Sequence, residues 1–140
     1  MTYSRIWVAD TGPLVAAVDR ADRAHAAVVA LLNDRSHRIV IPALCVAEAC
    51  YIIGGKHGPK VEAQFLNGLR TAEVVAPEPD DWPRIAEIVR QYSDFPLGGA
   101  DASIVALAER LDTDTIITLD HRHFATIRPR HCESFRLLPE

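Results

Sequence analysis

Short apolar runs rich in β-branched residues alternate along this chain with segments of helical periodicity, and that alternation leaves few folds open. Arg5–Ala9, Arg38–Ile41, Glu73–Val75, Thr115–Leu119 and Phe135–Leu138 read as strands. The first helix is opened by the turn Thr11-Gly12-Pro13, with Thr11 as the expected N-cap. Further helices are expected over Ala24–Asp34, from Pro42 to about Ile53 with a stop at Gly54-Gly55, and over Pro59–Leu69, Pro79–Tyr92 and Ala100–Leu111. A short helical turn is expected near His121–Ala125. Strands separated by such helices need crossover connections. The expected architecture is therefore a three-layer α/β/α sandwich around a central, mostly parallel sheet. No repeat, low-complexity segment or linker interrupts the pattern, so residues 1–140 are expected to form one domain.

Four carboxylates stand against this apolar pattern. Asp10 ends the run Ile6-Trp7-Val8-Ala9, and Asp120 closes Thr115-Ile116-Ile117-Thr118-Leu119. Glu48 is the only charged residue between Arg38 and Lys56, and Asp101 opens the apolar helix after Gly98-Gly99. Desolvating an acid is costly unless it is paired or bound to a metal, and no basic partner stands at helical spacing from Glu48. The topology also gathers these acids. Asp10 and Asp120 follow strands directly, at the carboxyl edge where open α/β sheets place their crevice, and the helices carrying Glu48 and Asp101 begin beside that edge. Two carboxylates about 4 Å apart repel by about 4 kcal/mol at an effective dielectric of about 20. Oxygen-only donors in an open cleft are the chemistry of Mg²⁺ or Mn²⁺.

The net charge of −4 does not exclude a nucleic-acid partner, because setting these four acids aside leaves the chain neutral. The segment His121–Arg136 is locally basic, and Arg122, Arg128 and Arg130, with His121 and His123, are candidate phosphate contacts. Three cysteines, an odd number, read as free thiols of a reducing cytosol rather than a disulfide or zinc framework. No apolar run approaches the roughly 20 residues that span a bilayer, and the N-terminus lacks a signal-peptide pattern, so a cytoplasmic protein without membrane contact is expected.

The order Asp10-Thr11-Gly12, Glu48 within Val-Ala-Glu-Ala-Cys-Tyr, Asp101 within Gly-Gly-Ala-Asp-Ala-Ser-Ile-Val-Ala-Leu-Ala, and Ile-Ile-Thr-Leu-Asp120-His-Arg-His-Phe resembles a PIN-domain ribonuclease. Within that superfamily it looks like a VapC-type toxin of a bacterial type II toxin–antitoxin pair. The resemblance runs from Ile6 to Leu138, and residues 99–124 are its most specific part. It implies a PIN fold and a Mg²⁺-dependent endoribonuclease, with Mn²⁺ able to substitute, whose catalytic acids match Asp10, Glu48, Asp101 and Asp120. Asp10 and Asp101 would hold the metal, with Glu48 and Asp120 joining directly or through water. Thr118 stands in the place of the family's usual small hydroxyl residue, and Thr11 supports the site beside Asp10. The resemblance also implies a small VapB-type antitoxin.

Two other readings share these residues. Asp-Thr-Gly is also the active-site signature of aspartic proteases, but those need an all-β fold. A non-catalytic PIN-fold RNA-binding or scaffold module would keep the architecture without the chemistry. It would gain nothing from four unpaired acids. Finally, Val46, Tyr51, Ile52 and Ile53, together with the helix from Val61 to Leu69 (Phe65, Leu66), offer more apolar surface than one small sheet is expected to bury. That surplus points to a homodimer face or to a groove for an antitoxin helix.

Overall fold

The computed structural model describes residues 5–140. Its centre is a sheet of five strands, β1 (Ile6–Ala9), β2 (Arg38–Pro42), β3 (Glu73–Val75), β4 (Thr115–Ile117) and β5 (Arg136–Leu138), in the order β3-β2-β1-β4-β5. Every neighbouring pair is parallel, with Val8 opposite Val40 on one side and Ile116 on the other. The expected sheet was mostly parallel; the described one is wholly so. Seven helices make the crossovers: α1 (Thr11–Ala17), α2 (His25–Leu32), α3 (Ala43–His57), α4 (Pro59–Gly68), α5 (Asp81–Gln91), α6 (Gly99–Arg110) and α7 (His121–Thr126). This arrangement excludes the aspartic protease, because Asp10-Thr11-Gly12 lies at a strand-to-helix junction and not in a β loop.

Alternation along the strands sends side chains to two layers. Val8, Val40 and Ile116 join the main core with the apolar faces of α3, α5 and α6. Trp7 and Ile117 point the other way and pack with Leu138 against Leu31 and Leu32 of α2. Helix α6 is the most enclosed of these helices, since residues Ala102 to Ala108 are all buried. Two-point ion pairing from Arg84 to Glu109 (2.8 Å each) and the Arg110–Asp81 pair (3.0 Å) fix α5 against α6. They thereby fix the rotation of the helix that carries Asp101.

Two helix boundaries differ from expectation. Asp10, not Thr11, caps α1: its Oδ1 accepts the Thr11 backbone N–H at 2.7 Å, so Thr11 becomes the first helical residue. Helix α3 runs through Gly54-Gly55 to His57. A Cβ on Gly54 would lie 2.4 Å from Glu62 Oε1, the movable end of an α4 side chain. The helix stops instead at Gly58, whose φ of +88° lies in the left-handed region, with Pro59 opening α4.

Candidate active site

At the carboxyl edge of the sheet an open cleft of about 540 Å³ is lined by Asp10, Asp22, Glu48, Asp101, Asp120 and His123, with Ile52 and Leu119 as apolar lips. The four acids read from the sequence therefore do come together. They do not share one environment. Asp10 is 6% exposed, whereas Asp101 and Asp120 are half-buried and Glu48 is exposed. The expectation that Glu48 is buried is thus corrected. Helix α3 turns Cys45, Ala49 and Ile53 to the core at a spacing of four, which leaves Glu48 on the solvent side at the cleft rim.

Asp10 is the most constrained of the four. Its backbone N–H continues the sheet by donating to Ile117 O at 2.9 Å. Its Oδ2 accepts from Thr118 Oγ1 at 2.8 Å, and the same hydroxyl oxygen accepts the Asp120 N–H at 2.9 Å. Thr118 is fully buried, so one side chain ties the ends of β1 and β4 together under the cleft. Burial raises the Asp10 pKa. The hydrogen bonds from Thr118 and Thr11 oppose that rise, and the charges of Glu48 and Asp120 add to it. Cys45 lies fully buried beside this junction, where loss of hydration first, and then the Asp10 charge, hold its thiol well above the ordinary range. It is an inert free thiol.

Asp101 sits in the first turn of α6. Burial, followed by the negative charges of Asp10 and Glu48, pushes its carboxyl up to about 6; Asp120 adds to the shift and His123 opposes it. Asp120 is occupied differently. It caps α7, its Oδ1 accepting the His123 backbone N–H at 3.2 Å while Oδ2 pairs with the His123 imidazole Nδ1. The His123 ring in turn meets Phe95 edge-on, with centroids 4.8 Å apart.

Among the described residues, no three His, Cys, Asp or Glu side chains are arranged to hold a metal ion between them. The donors that fit are fewer: the buried Asp10 and the half-buried Asp101, two carboxylates that line the open cleft. Mg²⁺ is commonly bound through one or two carboxylates and keeps several of its waters, so this pair suits it better than a full protein cage would.

The arginine candidates Arg122, Arg128 and Arg130 fall outside the cleft lining. Arg122 is exposed on α7. Arg128 donates to Ala125 O at 2.9 Å, and Arg130 is held by Glu87 at 2.6 Å. Asp22, in the connection from α1 to α2, is a cleft residue that sequence reasoning missed. Its spacing carries no signal, and only the folded connection brings it to the rim. His123 was read as a phosphate contact, but it stands three residues after the helix-capping Asp120 and pairs with it.

The PIN domain family model matches residues 7–128. The chain is 34% identical over 134 residues to Ribonuclease VapC26 of Mycobacterium tuberculosis, covering 94% of this chain and 99% of that protein. Among solved structures it resembles Mycobacterium tuberculosis VapC20, described as a sarcin-ricin loop cleaving toxin. That match has a TM-score of 0.71 and 16% identity, over 79% of this chain and 86% of that one. It also resembles VapBC2 from Rickettsia felis bound to a promoter DNA fragment, with a TM-score of 0.68 and 18% identity, over 94% and 96% of the two chains. At these identities the structural matches speak for the fold. The family model and the VapC26 identity, each spanning most of the chain, establish that it belongs to the PIN-domain family and, within it, to the VapC ribonucleases.

Proposed function

We propose that this chain is a Mg²⁺-dependent endoribonuclease that acts in the cytoplasm as the toxin of a VapBC-type toxin–antitoxin pair. The observation that carries the metal reading is Asp101. Its carboxyl is held near 6 by burial and by the charges of Asp10 and Glu48, and a cation in the cleft would relieve that repulsion. Asp10 and Asp101 would hold the ion, with Glu48 acting from the rim through water. Mg²⁺, or Mn²⁺ in its place, supplies charge neutralisation at a phosphodiester oxygen and acidifies the attacking water. Thr118 favours the ionised form of Asp10 and aims it by donating to Oδ2. Asp120 acts mainly by orienting His123 at the cleft wall, since both of its oxygens are engaged there. The free thiols suit a reducing compartment, and among the described residues no helix is long and apolar enough to cross a membrane.

The partners belong to the same reading. An apolar groove of about 740 Å³ runs between α1, α2 and α4, floored by Ile39 and Ile41 and walled by Leu14, Val61 and Phe65. It offers a seat for an amphipathic antitoxin helix. This relocates part of the expected surplus surface, because Ile53 is fully buried and Phe65 nearly so. A homodimer is supported by the outer face of α5, where Trp82, Ala86 and Val89 are exposed at helical spacing. The deciding experiment is cleavage of total RNA in Mg²⁺ by the wild type and by Asp101→Asn, with unfolding monitored in both. We expect the variant to fold and to leave RNA intact; cleavage at the wild-type rate would remove Asp101 from the site.

A further inference from the structure

Helix α3 presents one exposed strip made of Glu48, Tyr51, Ile52 and Gly55. Tyr51 is 86% exposed, more than any other large apolar side chain among the described residues. A second open cleft of about 520 Å³, lined by Tyr51, Ile52, Gly54, Gly55 and Glu62, adjoins the acidic one. Ile52 lines both, so the trough beside Tyr51 borders the acidic cleft at that side chain. Gly55 adds to this. A glycine inside a helix costs about 0.5–1 kcal/mol relative to alanine, yet a Cβ there would meet nothing within 4 Å. Packing does not require Gly55; the space above it is simply left open beside Tyr51.

We infer that this trough is a nucleobase subsite, in which Tyr51 stacks on the base one or two nucleotides from the scissile phosphate. The inference rests on the nuclease reading of the adjoining cleft. Adjacency to that cleft favours RNA as the occupant: a strand whose phosphate lies at Asp10 and Asp101 must leave along one of its walls, and α3 is one of them. Glu48 and Glu62 disfavour a phosphate in the trough itself, so the part of the strand that fits there is the uncharged base. A stacked base needs only the ring and its own solvated edge. Stacking accepts any base, so the subsite selects for an unpaired nucleotide rather than for a sequence.

The test uses the full chain with a fluorescently labelled, mixed-sequence single-stranded RNA. Cleavage is measured in Mn²⁺ and binding by anisotropy without metal, for the wild type, Tyr51→Phe and Tyr51→Ala. We expect Tyr51→Ala to raise KM and the binding Kd about tenfold with kcat unchanged, and Tyr51→Phe to stay within about twofold of the wild type. An abasic nucleotide beside the cleavage site should weaken the wild type but not add to the loss in Tyr51→Ala. If wild type and Tyr51→Ala cleave and bind alike, the subsite falls while the nuclease reading stands. If the wild type binds RNA through Tyr51 but cleaves none, the nuclease reading falls, and with it the placement of the base beside a scissile phosphate. If the wild type neither binds nor cleaves RNA, both fall. A halved sedimenting mass for Tyr51→Ala would assign the ring to a second copy and overturn the inference.

Discussion

Thr118 Oγ1 donates to Asp10 Oδ2 at 2.8 Å, across 108 residues of chain, and both side chains are buried. Removing the hydroxyl would leave a desolvated carboxylate oxygen without its donor, which costs about 1–3 kcal/mol. Thr118→Val should therefore lower stability by that amount in urea unfolding, and Thr118→Ser should recover most of it. The hydroxyl favours the ionised carboxylate, so the loss should shrink as the pH falls and Asp10 takes up its proton. A loss that stays the same down to acid pH would show that the bond does not hold the charge.

Asp101 sets a pH signature. Its folded pKa of about 6 stands above the ordinary 3.8, so the folded state holds this proton more tightly than the unfolded chain does. Below about pH 4 both states are protonated. Between about 4 and 6 only the unfolded chain ionises, so metal-free stability falls as pH rises through that window and stays lowered above it. Asp10 shifts in the same direction. The melting temperature without metal should thus be higher at pH 5 than at pH 7, and Asp101→Asn should flatten the dependence and match or exceed the wild type at pH 7. A steeper pH dependence in the variant would contradict this origin.

Metal should reverse the trend. A cation that binds only the folded protein stabilises it by about 2.7 kcal/mol at one hundred times its dissociation constant. Mn²⁺ should raise the melting temperature of the wild type in a concentration-dependent way, and by much less in Asp10→Asn. Identical shifts in the two proteins would put the ion elsewhere.

The basic residues divide by what already holds them. Arg122 is exposed and makes no ion pair among the described residues, whereas Arg130 is paired with Glu87. Arg122→Ala should weaken RNA binding and reduce the salt slope by about one. Arg130→Ala should leave the slope nearly unchanged and cost at most about 1 kcal/mol of stability. Salt titrations of binding separate the two, and an unchanged slope for Arg122→Ala would take α7 out of the RNA footprint.

These contrasts show where sequence was sufficient. The strands were legible because β-branched runs mark the first four and a short apolar run marks β5: β3 matches its expected bounds, and the others lie within two residues. The convergence of Asp10, Glu48, Asp101 and Asp120 followed from topology, since acids after parallel strands meet at one edge. What depends on rotation and partner choice was not legible. An apolar run cannot say that Glu48 faces solvent while Ala49 faces the core, nor that Ile53 and Phe65 are buried while Tyr51 is not. Gly54-Gly55 looked like a stop, yet both glycines lie inside α3. Asp22 reaches the cleft through a folded connection that has no spacing rule, whereas Asp120 meets His123 at the ordinary spacing of a helix N-cap.

The same two acids should make metal and antitoxin compete. Asp10 and Asp101 carry the charge a cation would neutralise, and a guanidinium can meet carboxylates with two parallel hydrogen bonds. An arginine from the antitoxin that enters the cleft would therefore draw on the attraction that holds Mn²⁺, and the two could not be bound at once. Calorimetric titration with the cognate antitoxin should give a dissociation constant that rises with Mn²⁺ concentration. Changing the inserting arginine to lysine should weaken binding, because an ammonium lacks the planar fork. Asp101→Asn should weaken the antitoxin and flatten its Mn²⁺ dependence together. Antitoxin affinity that is indifferent to Mn²⁺ would mean that inhibition works from the α1–α2–α4 groove alone and leaves the acids free.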